Sequence, residues 1–135
     1  MSDRPTPMID DPDTGGFFQA ARRNRLAAKF CRACGAPIHL PRPFCPSCRS
    51  RDLEWRDLSP NGRVYSWTVV EHQVHPAFPV PYTILLIELD DMPGVRLVGN
   101  IAGDAVLNIG DPVRATFDPA GNEVIFPQWT VLDRR

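Results

Sequence analysis

The chain lacks the features that mark membrane, secreted or general nucleic-acid-binding proteins. Its longest apolar run is four residues, Ile84–Ile87, far short of the roughly 20 that a transmembrane helix needs. Residues 1–25 hold no apolar run long enough for a signal peptide. A net charge of −1 does not suit a protein that binds nucleic acid through a basic surface. These absences favour a cytoplasmic protein with reduced thiols.

Catalytic motifs are also lacking. The sequence has no Gly-rich phosphate loop, no G-x-S-x-G and no H-E-x-x-H. It has only three histidines, His39, His72 and His75, and its 15 prolines argue against long helices. We therefore expect the chain to be non-catalytic by itself.

All four cysteines fall into two matched pairs. Cys31-x-x-Cys34 and Cys45-x-x-Cys48 are separated by 10 residues, a spacing typical of a four-thiolate zinc site. Disulfides suit a secreted chain, and a redox dithiol needs a single pair at a helix start, so both are disfavoured. An iron–sulfur or rubredoxin-type iron site uses the same ligands and stays open. Four thiolates complete the coordination, so the metal is expected to be structural and His39 is not needed.

The pattern of residues divides the chain into three predicted segments. Residues 1–28 form an N-terminal arm, extended or mobile over 1–13, and a short helix over 14–28. Residues 29–57 form a rubredoxin-like zinc ribbon, which is too small to fold without its metal. Residues 58–135 form an all-β domain.

Five short strands are predicted in the last segment, because runs rich in β-branched and aromatic residues alternate with turns. They are Val64–Val70, Tyr82–Leu89, Val95–Ile101, Val113–Phe117 and Glu123–Phe126. The predicted fold class is therefore mainly β, ending in a five-stranded barrel. An OB-fold is the first choice and an SH3-like barrel is its competitor.

Eight further residues are candidates for contact with a substrate or a partner. Two adjacent phenylalanines are too many for an isolated surface helix, nearby arginines suit phosphates or acidic side chains, and a Pro-rich loop carries two histidines. Trp129 is placed past the last predicted strand. For each, packing in the chain's own core or simple solvation is the alternative. The candidates are Phe17, Phe18, Arg22, Arg25, His72, His75, Phe78 and Trp129.

A series of short motifs sharpens the interpretation over roughly residues 14–130. The order of helix, four-cysteine ribbon and barrel, together with these motifs, resembles the zinc-ribbon/OB-fold family known as DUF35. The motifs are Phe17-Phe18, Phe30-Cys31-Arg32-Ala33-Cys34-Gly35, Phe44-Cys45-Pro46-Ser47-Cys48, Gly62-Arg63-Val64-Tyr65-Ser66-Trp67-Thr68-Val69-Val70, Val80-Pro81-Tyr82, Val95-Arg96-Leu97-Val98-Gly99-Asn100-Ile101 and Ile109-Gly110-Asp111-Pro112-Val113. The turn at residues 90–94 is slightly longer than is usual in the family, which affects the tip of that hairpin.

The resemblance implies a function that the residues alone do not show. Members of the family are small accessory subunits that bind thiolase-fold proteins, and the catalytic residues belong to the partner. It implies a partner that is a thiolase or a lipid-transfer-type aldolase acting on acyl-CoA esters, in steroid side-chain or aromatic acyl-CoA breakdown. It also implies an α2β2 hetero-oligomer, one structural zinc, and a coenzyme A ester near the partner interface.

A single-stranded nucleic-acid-binding protein is the alternative, because zinc ribbons and OB-folds both occur in such proteins. Residues 58–135, however, carry five arginines against nine acidic residues. A net acidic barrel repels the phosphate backbone, so this alternative is disfavoured.

Overall fold

The computed structural model describes residues 4–121 and 123–132. Within them lie one helix and eight strands, arranged as a three-stranded sheet of order β2-β1-β3 and a five-stranded sheet of order β6-β5-β4-β7-β8. The elements are α1 Gly15–Arg22, β1 Leu26–Cys31, β2 Pro37–Ile38, β3 Leu53–Leu58, β4 Asn61–Val70, β5 Tyr82–Leu89, β6 Arg96–Ala102, β7 Pro112–Gly121 and β8 Val124–Val131. The predicted mainly β fold class is confirmed.

Helix α1 is shorter than the predicted helix over residues 14–28. It ends at Arg22, and Asn24 takes a left-handed backbone conformation with φ 57°, which stops a helix. The following Leu-Ala-Ala segment favours helix by propensity, but it pairs in full register with β3. Tertiary pairing therefore overrides local preference here.

Strand β1 joins the ribbon to the barrel. Leu26 and Ala28 belong to the same buried cluster as Leu85 and Ile87 of β5, while Cys31 at the end of β1 belongs to a second cluster around the thiolates. Because one strand contributes to both clusters, displacing it would disturb the ribbon and the barrel together.

The barrel contains all five predicted strands. On β5, Thr83, Leu85, Ile87 and Leu89 alternate inward and are buried, as expected for a strand with one face in a core. Strands β7 and β8 are longer than predicted. Residues 118–122, which separate the two predicted strands, are mostly part of β7; the chain turns at Gly121, whose φ is 95°, and residue 122 lies outside the described residues.

The position predicted for Trp129 is wrong. Trp129 lies within β8, not past the last strand, and its side chain is only 5% exposed. The indole faces Gly99 of β6 so closely that a Cβ at Gly99 would collide with it. No backbone hydrogen bonds join β6 to β8 in the described chain. The barrel is therefore closed by the Trp129 indole, which packs on the backbone of Gly99.

Replacing Gly99 by alanine is expected to destabilise the chain by about 1–3 kcal/mol, because the added methyl group displaces a buried indole that has little room to move. The measurement is urea unfolding. Val98→Thr, on the same strand and exposed, is the control and is expected to change stability by less than about 0.5 kcal/mol. Equal stability of Gly99→Ala and the parent chain would contradict this account of barrel closure.

Candidate metal centre and aromatic groove

The four cysteine sulfurs come together as the ligands of one metal ion. All four lie within 4.8 Å of one another, and the Cys31–Cys48 and Cys34–Cys45 sulfur pairs are each 3.6 Å apart. A tetrahedron with Zn–S bonds of about 2.3 Å has sulfurs about 3.8 Å apart, whereas a disulfide bond is about 2.05 Å long. The spacing therefore fits a tetrahedral metal site and excludes disulfides.

Two tight turns present these sulfurs. Gly35 N donates to Cys31 O at 2.8 Å, and Arg49 N donates to Cys45 O at 2.8 Å. Gly35 and Arg49 both have positive φ, at 78° and 65°, so each turn reverses immediately after its second cysteine. The two turns are equivalent knuckles, as the repeated C-x-x-C spacing predicts.

The electrostatics of the thiols also fit a cation. The backbone N–H of Cys48 lowers the pKa of Cys45 to about 6, and the backbone N–H of Cys34 lowers that of Cys31. The backbone bond from Ser50 lowers the pKa of Cys48, but contact with Cys31 and other thiols outweighs it and raises that pKa to about 12. Neighbouring thiolates resist joint ionisation, and a bound divalent cation removes that resistance.

The surroundings of the centre are small and apolar. Cys31 and Cys45 are buried with Ile38, beside the partly buried Ala36 and Leu53. This cluster is too small to hold a ribbon by hydrophobic burial alone, so the metal supplies much of the stability. With four protein ligands the centre has no open position for substrate or water.

A second feature is an open groove of about 810 Å³ between the edges of β6 and β8. We call it the aromatic groove, because phenylalanines of α1, of the loop after β4 and of β8 line it over a floor that includes Trp129. Its principal lining residues are Arg4, Phe17, Phe18, Phe78, Tyr82, Val98, Asn100, Phe126, Gln128 and Trp129.

The structure brings only some of the predicted contact residues to this groove. Phe17 and Phe18 meet edge to face at 5.3 Å, and Phe18 reaches Phe126 at 6.1 Å. Phe78 and Trp129 also line the groove. Helix α1 thus places both predicted phenylalanines where a ligand or partner could contact them.

The other predicted contact residues lie elsewhere. Arg22 is paired with Glu123 at 3.5 Å, and Arg25 and His72 are exposed outside the groove lining. His75 lies against Phe78, with ring centroids 5.6 Å apart, and its Nδ1 accepts a hydrogen bond from Ala77 N at 3.0 Å. His75 therefore shapes the loop that carries Phe78.

Sequence reasoning missed Arg4 and Phe126. The Arg4 guanidinium lies over the rings of Phe78, at 5.6 Å, and Phe126, at 5.0 Å. Arg4 lies in the arm predicted as extended or mobile, and nothing local in its Pro-rich segment signals a tertiary contact. Phe126 was predicted as part of a strand, and only the barrel's curvature turns its ring toward the groove.

Family comparisons agree with this architecture. Residues 18–54 match the family model described as the ChsH2 rubredoxin-like zinc ribbon domain. Residues 55–118 match the model described as the ChsH2 C-terminal OB-fold domain. The OB-fold prediction is therefore confirmed over its SH3-like competitor, and the ribbon is of the zinc-binding kind.

A solved structure decides the family. A chain of the "Ltp2-ChsH2(DUF35) aldolase" is 38% identical, with a TM-score of 0.81, covering 93% of this chain and 97% of that chain. The chain belongs to the DUF35 family. The resemblance inferred from the motifs is thus confirmed.

Two curated relatives are longer proteins. A "probable enoyl-CoA hydratase alpha subunit" of Thermomonospora curvata is 40% identical over 126 residues, which are 92% of this chain and 39% of the relative. A "3-oxo-4,17-pregnadiene-20-carboxyl-CoA hydratase alpha subunit" of Mycobacterium tuberculosis is 31% identical over 88% of this chain and 36% of the relative. This DUF35 chain spans less than two fifths of the length of either relative.

Among the described residues, no helix combines the length and the apolar character needed to span a bilayer. The single helix of this DUF35 chain, α1, has eight residues, and it lies beside the groove.

Metal analysis of the purified chain is expected to find one zinc per chain, and Cys45→Ser is expected to abolish stoichiometric binding because Cys45 is a buried ligand with no spare thiol to replace it. A chromogenic chelator assay after thiol modification measures the release. Ser47→Ala, an exposed change within the same knuckle, is the control. Retention of full zinc by Cys45→Ser would contradict the four-thiolate assignment.

Proposed function

We propose that this chain is a non-catalytic, zinc-binding accessory subunit of the cytoplasm. It binds a thiolase-fold partner, either a thiolase or a lipid-transfer-type aldolase, and supports the partner's action on acyl-CoA esters. The observation that carries the proposal is the likeness to the DUF35 chain of the Ltp2-ChsH2 aldolase, which extends over nearly the whole of both chains. The substrates in view are steroid side-chain or aromatic acyl-CoA esters.

The chemistry of the chain supports an accessory role. Its metal centre is closed by four thiolates, so the metal has no open position for Lewis-acid catalysis. The titratable residues that line the aromatic groove are Arg4, Tyr82 and Asp118, which do not form a nucleophile–base pair. The catalytic groups must then come from the partner.

The partner contact is proposed at the aromatic groove, where Phe17, Phe18 and Phe78 stay partly exposed. Aromatic side chains of this kind dominate the energetics of many protein interfaces. Trp129, which is buried, contributes by supporting the floor rather than by direct contact.

A coenzyme A ester of the partner is proposed to approach the basic side of the ribbon. Arg22 and Arg23 are engaged by Glu123 and Asp57, which leaves the exposed Arg25 and the ribbon's exposed arginines as the phosphate contacts. Arg32 and Arg56 are engaged by Glu54, so the ribbon residues in view are Arg42, Arg49 and Arg51. These ribbon arginines lie near the metal centre and outside the lining of the aromatic groove.

Co-expression with a thiolase-like protein from the same genome, with a tag on one of them, is expected to yield a stoichiometric α2β2 hetero-oligomer. Size-exclusion chromatography with light scattering measures the mass, and metal analysis should find one zinc per accessory chain. The isolated chain should show no turnover of acyl-CoA esters, while the complex should. A zinc-loaded monomer that does not bind the co-expressed thiolase-like protein would contradict the proposal.

The longer relatives define the control partner. Because both are named as hydratase alpha subunits, a hydratase subunit from the same genome is tested in parallel. Binding to the hydratase subunit alone would replace the thiolase-fold partner in this proposal.

A further inference from the structure

The five-stranded sheet ends in two edge strands, β6 and β8, that face each other without pairing among the described residues. An edge strand presents unpaired N–H and C=O groups, which bind another strand unless something blocks them. Strand β8 carries Pro127, which has no N–H to donate. Strand β6 has no proline, so it is the edge that can accept an added strand.

The free backbone groups of β6 can be assigned from its pairing with β5. Gly103 N donates to Pro81 O at 3.0 Å, which places Gly103 in the row of residues that face β5. Alternate residues of an antiparallel strand turn their backbone groups to opposite sides. Val98, Asn100 and Ala102 therefore direct their N–H and C=O groups away from β5, toward the groove side.

The start of this edge is already covered by the ribbon. Burial lowers the pKa of the His39 imidazole, and the nearby backbone of Arg96 opposes this shift. The same parity places Arg96 among the residues that face away from β5. The ribbon thus lies beside the first position of this edge, and the open part begins at Val98, whose side chain is 73% exposed.

The groove beside this edge also carries an unsatisfied cation. Arg4 Nε is buried and has no hydrogen-bond partner among the described residues, although its guanidinium is held between Phe78 and Phe126. A buried donor without an acceptor is costly. A carboxylate is its natural partner.

These groups select a polypeptide over a hydrocarbon or a second copy. An acyl chain would leave the β6 backbone groups without hydrogen-bond partners and the Arg4 cation without a counter-charge, whereas an extended peptide supplies N–H, C=O and a carboxylate. A second copy of the chain would bring another Arg4 cation to the contact instead of an acceptor.

We propose that the free edge of β6 receives an extended, acidic segment of the partner subunit as an added antiparallel or parallel strand. The segment bonds to the backbone of Val98, Asn100 and Ala102 and places an Asp or Glu side chain against Arg4. Its apolar side chains contact the phenylalanines of the groove, in the manner of β-strand addition. This inference rests on the proposed function, because it names how the accessory chain holds its partner.

Amide hydrogen exchange, resolved by NMR for the isolated chain and for its complex with the thiolase-like protein, tests the pairing. In the isolated chain the amides of Val98, Asn100 and Ala102 should exchange fast while those of Leu97 and Gly99 stay protected. The complex should slow the first set by about 10-fold or more. Unchanged fast exchange at these three amides in a formed complex would overturn the inference and leave the proposed function standing.

Val98→Pro tests the backbone contact by mutation. It removes an N–H that points away from β5, so the barrel ladder is kept, and we expect about 10-fold weaker binding to the partner because one partner carbonyl loses its donor. Val98→Thr keeps the N–H and is the matched control, expected to bind within about twofold. Circular dichroism and zinc content check folding. If Val98→Pro fails to fold, the amide hydrogen exchange of the parent chain, free and in complex, tests the added strand instead.

Arg4→Gln tests the charge contact. It is expected to weaken partner binding several-fold and to reduce the dependence of the affinity on salt, since a screened ion pair is lost. Arg114→Gln, an exposed change on β7 outside the groove lining, is the control.

Three other results would overturn the inference. One is equal affinity for Val98→Pro and Val98→Thr, and another is a dimer of the isolated chain that Val98→Pro abolishes, since a second copy would then be the occupant. Absence of any complex with the thiolase-like protein would overturn the inference and the proposed function together.

Discussion

The rest of the structure depends on the four-thiolate centre. The ribbon has a core of three buried side chains, so metal coordination must hold β1, β2 and β3 in place. Strand β1 then carries Leu26 and Ala28 into the barrel core. The metal thereby fixes the strand on which the barrel packs and the loop that brings His39 near β6.

The barrel shows a related compromise between closure and recognition. In the part of the chain that the structure describes, its edges meet through Trp129 packed on Gly99, without a backbone ladder. Closure by side chains covers the hydrophobic core, while backbone groups of β6 form no ladder with β8 among the described residues. A fully paired barrel would have no such edge.

Much of this could be predicted from the sequence, because strong local signals carried it. The cysteine pairs specified the metal centre, and β5 was predicted with its observed bounds because turns flank a β-rich run. The helix was overextended because Leu26–Ala28 favours helix locally and becomes a strand only by pairing with β3. The placement of Arg4 over two rings and the burial of Trp129 depend on barrel curvature, which no local pattern encodes.

The dependence of the barrel on the metal is tested most directly by NMR of the Leu85 and Ile87 methyl groups while a chelator withdraws zinc. Both side chains are fully buried in the cluster that β1 completes. The account predicts that their signals change and that the melting temperature of the barrel falls as zinc is removed. An unchanged methyl spectrum and melting temperature would show that the barrel stands alone, and would contradict the account.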